Sequence, residues 1–138
     1  MDPLAILKPT LALGLWTLLI FFLIPMRRMQ AVRAGTLTID DFKLGESARV
    51  PEHVALPNRN AMNLLQLPVL FYAASVILFT TAQADAAFVG LAWAYVVLRV
   101  AHSLVHVTYN NVRHRLLPFG ISNLVLLAIW LRLTWLIA

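Results

Sequence analysis

Two groups of polar side chains recur at helical spacing inside stretches of sequence that are otherwise apolar. At about 100° per residue, each group falls within a sector of roughly 60° on one helix face. A bilayer penalises every such side chain, so two aligned polar faces indicate a functional site rather than a lipid-facing surface. The first group is Arg59, Asn63 and Gln66, and the second is Arg99, His102, His106 and Arg113.

The arginines of the second group suit an anionic ligand. Arg99 lies deep in its apolar stretch, and no Asp or Glu occurs at that depth in any apolar stretch of the chain. Because a buried arginine is costly without a partner, its counter-charge must come from a ligand, another subunit or backbone carbonyls, and we favour an anionic ligand. Arg113 is either part of the same site or a charge that anchors the helix at the membrane surface.

His102 and His106 stand one helical turn apart, a spacing that also suits a pair of metal ligands. The chain has only 4 histidines, whereas membrane di-iron sites use many more together with carboxylates. We therefore predict hydrogen-bonding histidines and no metal. Asn63 and Gln66 have an alternative role, because amide side chains also bridge membrane helices by hydrogen bonds.

Four apolar blocks must position these residues. Of the 138 residues, 61% are hydrophobic and only 12% are charged, whereas a soluble domain has about 25% charged residues. Each block has about 20 residues, which is the length that crosses a bilayer. The first block is too long for a cleaved signal peptide, and Asp2 stands where a basic region belongs. The predicted spans are roughly 4–26, 62–81, 86–109 and 117–138.

Short second and third connections predict helices that pack as antiparallel neighbours. We therefore predict an all-α integral membrane protein, a left-handed bundle of four transmembrane helices that forms one domain over residues 1–138. The first connection, 27–61, is long, and Thr38 is a capping residue for a short interfacial helix within it. Pro68 removes a backbone donor and predicts a kink in the second span.

Basic residues are concentrated on one side of the predicted membrane. The positive-inside rule makes that side cytoplasmic and places both termini outside. The same placement argues against a nucleic-acid partner, despite the net charge of +5. The absence of cysteine excludes disulfides and cysteine nucleophiles. Short loops and the lack of a retention signal favour a bacterial inner membrane. The basic residues on this side are Arg27, Arg28, Arg33, Lys43, Arg49, Arg59, Arg113 and Arg115.

The two polar groups resemble motifs of the MAPEG family, the membrane-associated proteins in eicosanoid and glutathione metabolism. The segment that starts at Arg59 fits Arg-x-x-x-Asn-x-x-Glu followed by proline, with Gln66 in place of the glutamate. The segment that starts at Arg99 is similar to Arg-x-x-Tyr-x-x-x-Tyr-x-x-x-x-x-x-Arg, with His102 and His106 in place of the tyrosines. The four spans and the long first loop extend the resemblance over nearly the whole chain.

The resemblance implies a homotrimer that binds glutathione between neighbouring subunits, near the cytoplasmic side. It implies that Arg113 is the catalytic residue beside the glutathione sulfur. It also implies that Arg27 or Arg28 is a second arginine near a lipophilic substrate that enters from the lipid bilayer. The glutathione-binding residues that it implies are Arg59, Asn63, Gln66, Arg99, His102 and His106.

The implied activity is that of a glutathione-dependent transferase or peroxidase acting on lipophilic electrophiles. A thiol has an ordinary pKa of about 8.5, and an arginine beside the sulfur would favour the nucleophilic thiolate. The alternative is a non-catalytic membrane binding or scaffold protein that retains the family fold, which the replacement at Gln66 favours. A four-span drug transporter is disfavoured because such carriers generally need a carboxylate within a span.

Overall fold

The computed structural model describes residues 2–138, apart from the side chain of Pro3. Over this range the chain is helical and contains no strand. Two short 3₁₀ helices, Pro3–Ile6 and Ile39–Phe42, accompany the longer helices. The longer helices are α1 (Leu7–Arg33), α2 (Glu52–Leu64), α3 (Pro68–Thr80), α4 (Ala86–Val107) and α5 (Val112–Ile137).

Four helical segments of the described chain are long and apolar enough to cross a membrane, because α2 and α3 together form one of them. The predicted four-span, all-helical membrane fold is therefore confirmed. Its outward surface is covered by exposed leucines, valines and phenylalanines. In water such a surface would be unfavourable, but in lipid it needs no cover.

The helix ends differ from the predicted spans, and capping explains most of the differences. The first helix continues past residue 26 to Arg33, since nothing in that polar turn breaks it. The last helix begins at Val112 because the Asn111 side chain accepts hydrogen bonds from two backbone N–H groups of its first turn. Between these helices, α4 ends at Val107, and Asn110 adopts a positive φ of 46°. The long loop is thus residues 34–51 rather than 27–61.

Pro68 divides the second span as predicted. The proline ring has no N–H to donate to the carbonyl four residues back, so α2 ends at Leu64. The chain then turns through residues 65–67, and α3 begins with Pro68 in its first turn, where a missing N–H costs little. This break leaves backbone polar groups without helical partners inside a membrane span, and neighbouring side chains must supply their hydrogen bonds.

The core lies where α4 packs against α1, α2 and α5. Tyr95 is fully buried and stacks on Phe71, with ring centroids 4.7 Å apart. The same face of α4 continues with the buried polar residues Arg99, His102 and His106. Three of the four members of the second predicted polar group thus form a stripe on one inward-facing side of α4: Arg99, His102 and His106.

An ion pair ties the start of α4 to the far half of α5. Two nitrogens of the Arg132 guanidinium donate to the two oxygens of Asp85 at 2.7 and 2.5 Å. Asp85 also caps α4, because it accepts a hydrogen bond from the backbone N–H of Phe88 at 3.0 Å. The Arg132 guanidinium and this N–H hold the pKa of the Asp85 carboxyl well below its usual range.

We expect Asp85→Asn to lower the free energy of unfolding by about 1 kcal/mol, the scale of one helix cap plus a solvent-screened ion pair. Because the folded-state pKa is depressed, the contribution is fully present above about pH 3.9, the unfolded value, and is lost as the pH falls through the folded value. Unfolding in mixed micelles at neutral and acid pH measures it. Equal stability of wild type and Arg132→Gln at neutral pH would contradict this assignment.

Candidate functional site

The break before Pro68 places a backbone carbonyl beside the buried Arg99. Within its own chain segment the Asn63 carbonyl accepts a long hydrogen bond of 3.4 Å from the Gln66 N–H. Arg99 Nη2 donates to that carbonyl at 2.9 Å and to Asn63 Oδ1 at 2.6 Å. In the described chain, the counter-charge of Arg99 is therefore supplied by amide dipoles at the end of α2, and no carboxylate contacts it.

Arg99 has no exposed surface in the described chain. Its Nε and Nη1 atoms are also buried and make no hydrogen bond among the described residues. The guanidinium carbon lies 5.5 Å from the centre of the Phe119 ring, so an aromatic face of α5 covers one side of the charge. Arg99, which belongs to α4, thus contacts residues of both α2 and α5. A cleft lies next to it.

That cleft has a volume of about 210 Å³ and opens between α4, α5 and the end of α2. Phe119 and Leu116 supply an apolar wall, while the other side is polar. Asn63 and the two histidines of the predicted site meet here, which brings both polar groups of the sequence together. The residues that line the cleft are Asn63, His102, His106, Val112, Arg115, Leu116 and Phe119.

Each histidine is held at Nδ1 by a different kind of partner. His102 Nδ1 lies 2.8 Å from the backbone carbonyl of Arg115, and His106 Nδ1 lies 3.3 Å from Asn60 Nδ2. Ser103 Oγ in turn donates to Asn60 Oδ1. No group of three His, Asp or Glu residues comes together as a metal site among residues 2–138. The contacts at Nδ1 orient both imidazole rings.

Arg59, Gln66 and Arg113 lie outside the cleft of a single subunit. All three side chains are exposed. Gln66 falls in the turn after α2, so the helical spacing that aligned it with Asn63 no longer applies. Arg113 belongs to the first turn of α5 and borders a separate shallow groove on the outer surface of that helix, next to Leu117. It does not continue the stripe on α4, because α4 ends at Val107.

Arg115, two residues after Arg113, lines the cleft. Its Nη1 donates to Asn110 Oδ1 at 2.5 Å. Asn110 Nδ2 donates to Glu52 Oε1, also at 2.5 Å, so the α4–α5 connection is tied to the start of α2. The positive φ of Asn110 presents its side chain to both partners, a conformation that asparagine tolerates better than most residues. This chain of contacts fixes the mouth of the cleft.

Sequence reasoning missed six residues: Asn60 and Ser103, which contact the site, and Val112, Arg115, Leu116 and Phe119, which line the cleft. Two of them carried a usable signal. Asn60 stands one turn before Asn63, and Ser103 stands one turn before His106, so each extends a polar helix face. No comparable pattern marks Arg115, which resembles an ordinary anchoring charge beside Arg113 until the turn before α5 is known.

Of the two arginines that follow the first predicted span, Arg28 is engaged by the loop. Its Nη2 lies 3.3 Å from Glu46 Oε1, and its guanidinium carbon lies 4.7 Å from the Phe42 ring centre. Phe42 belongs to the short helix that was predicted at Thr38. Arg27 is partly exposed. Arg28 therefore docks the loop on α1, and Arg27 is the freer of the two for a role at the membrane.

These features define a helical membrane protein with four spans and a small polar cleft at one end of the bundle. The family model of the MAPEG family matches residues 6–135, so the chain belongs to the MAPEG family. The match covers every helix of the transmembrane bundle and all the residues of the cleft. No curated protein and no solved structure matches the chain.

Proposed function

We propose that this protein is a glutathione-dependent transferase or peroxidase that acts on lipophilic electrophiles. The observation that carries the proposal is the cleft, where a membrane domain of the MAPEG family gathers an arginine, two histidines and an amide beside an apolar wall. Glutathione offers carboxylates to cationic and N–H donors. The wall formed by Leu116 and Phe119 suits a second substrate that arrives from the bilayer.

The proposed chemistry begins with stabilisation of the glutathione thiolate. A positive charge beside the sulfur favours the ionised form, which is the nucleophile. Arg113 is the predicted catalytic residue for this role. Arg115 is a second candidate, because it lines the cleft of its own subunit while Arg113 lies on the outer side of α5.

A homotrimer is part of the proposal, because it would give the exposed polar residues a partner. Arg59, Gln66 and Arg113 are exposed on one subunit although they lie in segments that span a bilayer. Contact with lipid would be costly there. Subunit contacts would remove these side chains from lipid and would let Arg59 and Gln66 complete a glutathione site between neighbours.

The proposed orientation places the cleft at the cytoplasmic side of a bacterial inner membrane. Lys43 and Arg49 lie in the loop of residues 34–51, and the helix ends beside this loop and beside the α4–α5 connection add Arg33, Arg113 and Arg115. By the positive-inside rule both termini would face outward. A cytoplasmic cleft would also meet the cellular pool of glutathione.

A non-catalytic binding or scaffold role is the alternative. Gln66 favours it, because this side chain replaces the acid of the family motif and is exposed in the turn after α2. A neutral amide can still accept a hydrogen bond from the amino group of glutathione, but it cannot form an ion pair with it. The two functions differ in whether bound glutathione reacts, and not in the fold.

Calorimetric titration of glutathione into the detergent-purified protein tests the proposal. We expect saturable binding at millimolar or lower concentration, weakened about tenfold by Arg115→Ala, because that change removes one charge-assisted contact to the ligand. Arg33→Ala is the matched control, since it removes an exposed arginine at the end of α1, away from the cleft.

Three results would change the conclusion. The absence of any binding to the wild-type protein would reject glutathione as the ligand. Binding without turnover of any electrophile or lipid hydroperoxide would favour the scaffold alternative. Equal weakening by Arg115→Ala and Arg33→Ala would mean that a general loss of positive charge, and not the cleft, accounts for the effect.

A further inference from the structure

Three buried polar side chains form a hydrogen-bonded chain whose direction is fixed. Ser103 Oγ donates to Asn60 Oδ1, which leaves the amide nitrogen of Asn60 to contact His106 Nδ1 at 3.3 Å. Asn60 and Ser103 have no exposed surface, and His106 is 7% exposed. An amide nitrogen can only donate, so His106 Nδ1 must accept.

This contact determines which nitrogen of His106 carries the proton. A neutral imidazole has one donor and one acceptor, so His106 has its hydrogen on Nε2. His102 is held in the opposite form. Its Nδ1 partner is the Arg115 carbonyl, which can only accept, so the hydrogen of His102 is on Nδ1. The two rings lie edge to face, 5.6 Å apart, and line the same cleft.

We propose that Asn60 and Ser103 are positioning residues that hold His106 as an Nε2–H donor to the glutathione thiolate. The identity of the ligand rests on the proposed function. In this step the S–H bond breaks, the proton leaves to solvent water, and the sulfur keeps the electron pair and accepts a hydrogen bond from His106 Nε2. His106 neither gains nor loses a proton.

Ser103 favours this orientation of the Asn60 amide, because in the reversed orientation Ser103 Oγ would accept from Nδ2 and its hydroxyl hydrogen would lose its present acceptor. If Ser103 did not donate to Oδ1, that oxygen could point at His106 and accept from Nδ1, which would reverse the tautomer and leave Nε2 as an acceptor. An acceptor at this position would repel the thiolate instead of stabilising it. Ser103 and Asn60 thus act together on the His106 ring. Of these three side chains, only His106 lines the cleft.

The tautomers can be measured without any ligand. Nitrogen NMR of the full-length protein in detergent, at a pH where both rings are neutral, should show Nε2–H for His106 and Nδ1–H for His102. Asn60→Asp offers two acceptor oxygens, so we expect it to reverse His106 and to leave His102 unchanged as the internal control. The same tautomer on both wild-type rings, or an unchanged His106 in Asn60→Asp, would overturn the positioning role.

The donor role needs variants that separate donation from packing. His106→Tyr keeps an O–H donor and His106→Phe keeps only the ring. We expect His106→Phe to lower the thiolate absorbance of bound glutathione and the turnover of chlorodinitrobenzene about tenfold, and His106→Tyr to stay within about threefold of wild type. Ser103→Ala, a milder change at a different residue, should lower the thiolate fraction and populate the second His106 tautomer.

The outcomes distinguish this inference from the proposed function. Equal losses in His106→Phe and His106→Tyr, with both variants folded by circular dichroism, would overturn the donor role while glutathione binding still stood. Wild-type protein that binds no glutathione would reject the proposed function and the thiolate step together, and the ligand-free tautomers would still decide whether Asn60 positions His106.

Discussion

Arg99→Ala is expected to lower the free energy of unfolding by about 3 kcal/mol. The side chain is wholly buried, so truncation leaves a cavity between α2, α4 and α5. It also leaves the Asn63 carbonyl and Oδ1 without their guanidinium donor, at a helix break that a membrane span cannot hydrate from lipid. Unfolding of the detergent-solubilised protein by a denaturing surfactant measures the loss.

A double-mutant cycle separates the lost hydrogen bonds from the lost volume. Arg99→Met fills most of the space but still orphans the acceptors of Asn63. Arg99→Met combined with Asn63→Leu removes the Oδ1 acceptor together with its donor and should recover part of the loss, while the Asn63 backbone carbonyl still lacks the guanidinium. Additive losses in the double variant would refute the pairing of Arg99 with Asn63.

The stability and the glutathione binding of Arg99→Ala, measured together, also decide whether Arg99 acts on the ligand directly. If Arg99→Ala were as stable as wild type and lost only glutathione binding, the guanidinium would have to reach the ligand, as the family resemblance implies. The contacts within one subunit favour the structural role. For this reason Arg115, which lines the cleft, is the better arginine with which to test binding.

The spans were predictable because a bilayer requires long apolar segments, and such segments are visible in the sequence. Runs of about 20 apolar residues have few alternatives to a spanning helix, and a proline within a run marks a break. Helix ends were less predictable, since they depend on single caps. Asn111 starts α5 five residues earlier than hydropathy indicates, and the backbone of Asn110 ends any continuation of α4.

Those misplaced ends explain why the site was predicted only in part. A stripe at helical spacing has meaning only along one uninterrupted helix. The stripe was correct from Arg99 to His106, where α4 is continuous. It could not apply to Gln66, which lies beyond the end of α2, or to Arg113, which begins another helix. The contact between Arg99 and Asn63 depends on how α2 and α4 pack together. The periodicity of residues along one helix contains no information about that packing.

Arg113→Ala and Arg115→Ala make the most direct test of the catalytic arginine. Truncation of whichever arginine lies beside the sulfur should lower kcat/KM for chlorodinitrobenzene about a hundredfold, because that side chain stabilises charge on the reacting atom. The thiolate absorbance of bound glutathione should fall with it. The other arginine should change turnover less than about threefold, as expected for a charge at the membrane surface.

The two arginines occupy different surfaces, and so the result also reports on assembly. Arg115 contributes to the cleft of its own subunit, so a dominant effect of Arg115→Ala is compatible with a site formed within one chain. Arg113 faces the outer groove of α5, where glutathione bound in the same subunit's cleft would not meet it. A dominant effect of Arg113→Ala would therefore require a ligand that also contacts the outer face of α5, as in a site between subunits.

Mixed trimers of Arg113→Ala and His106→Phe subunits would test such a site. In some of their sites, one subunit would supply an intact Arg113 and its neighbour an intact His106, and activity should recover in proportion to the number of these sites. Full activity in both single arginine variants would remove arginine from the thiolate step and leave His106 as its remaining donor.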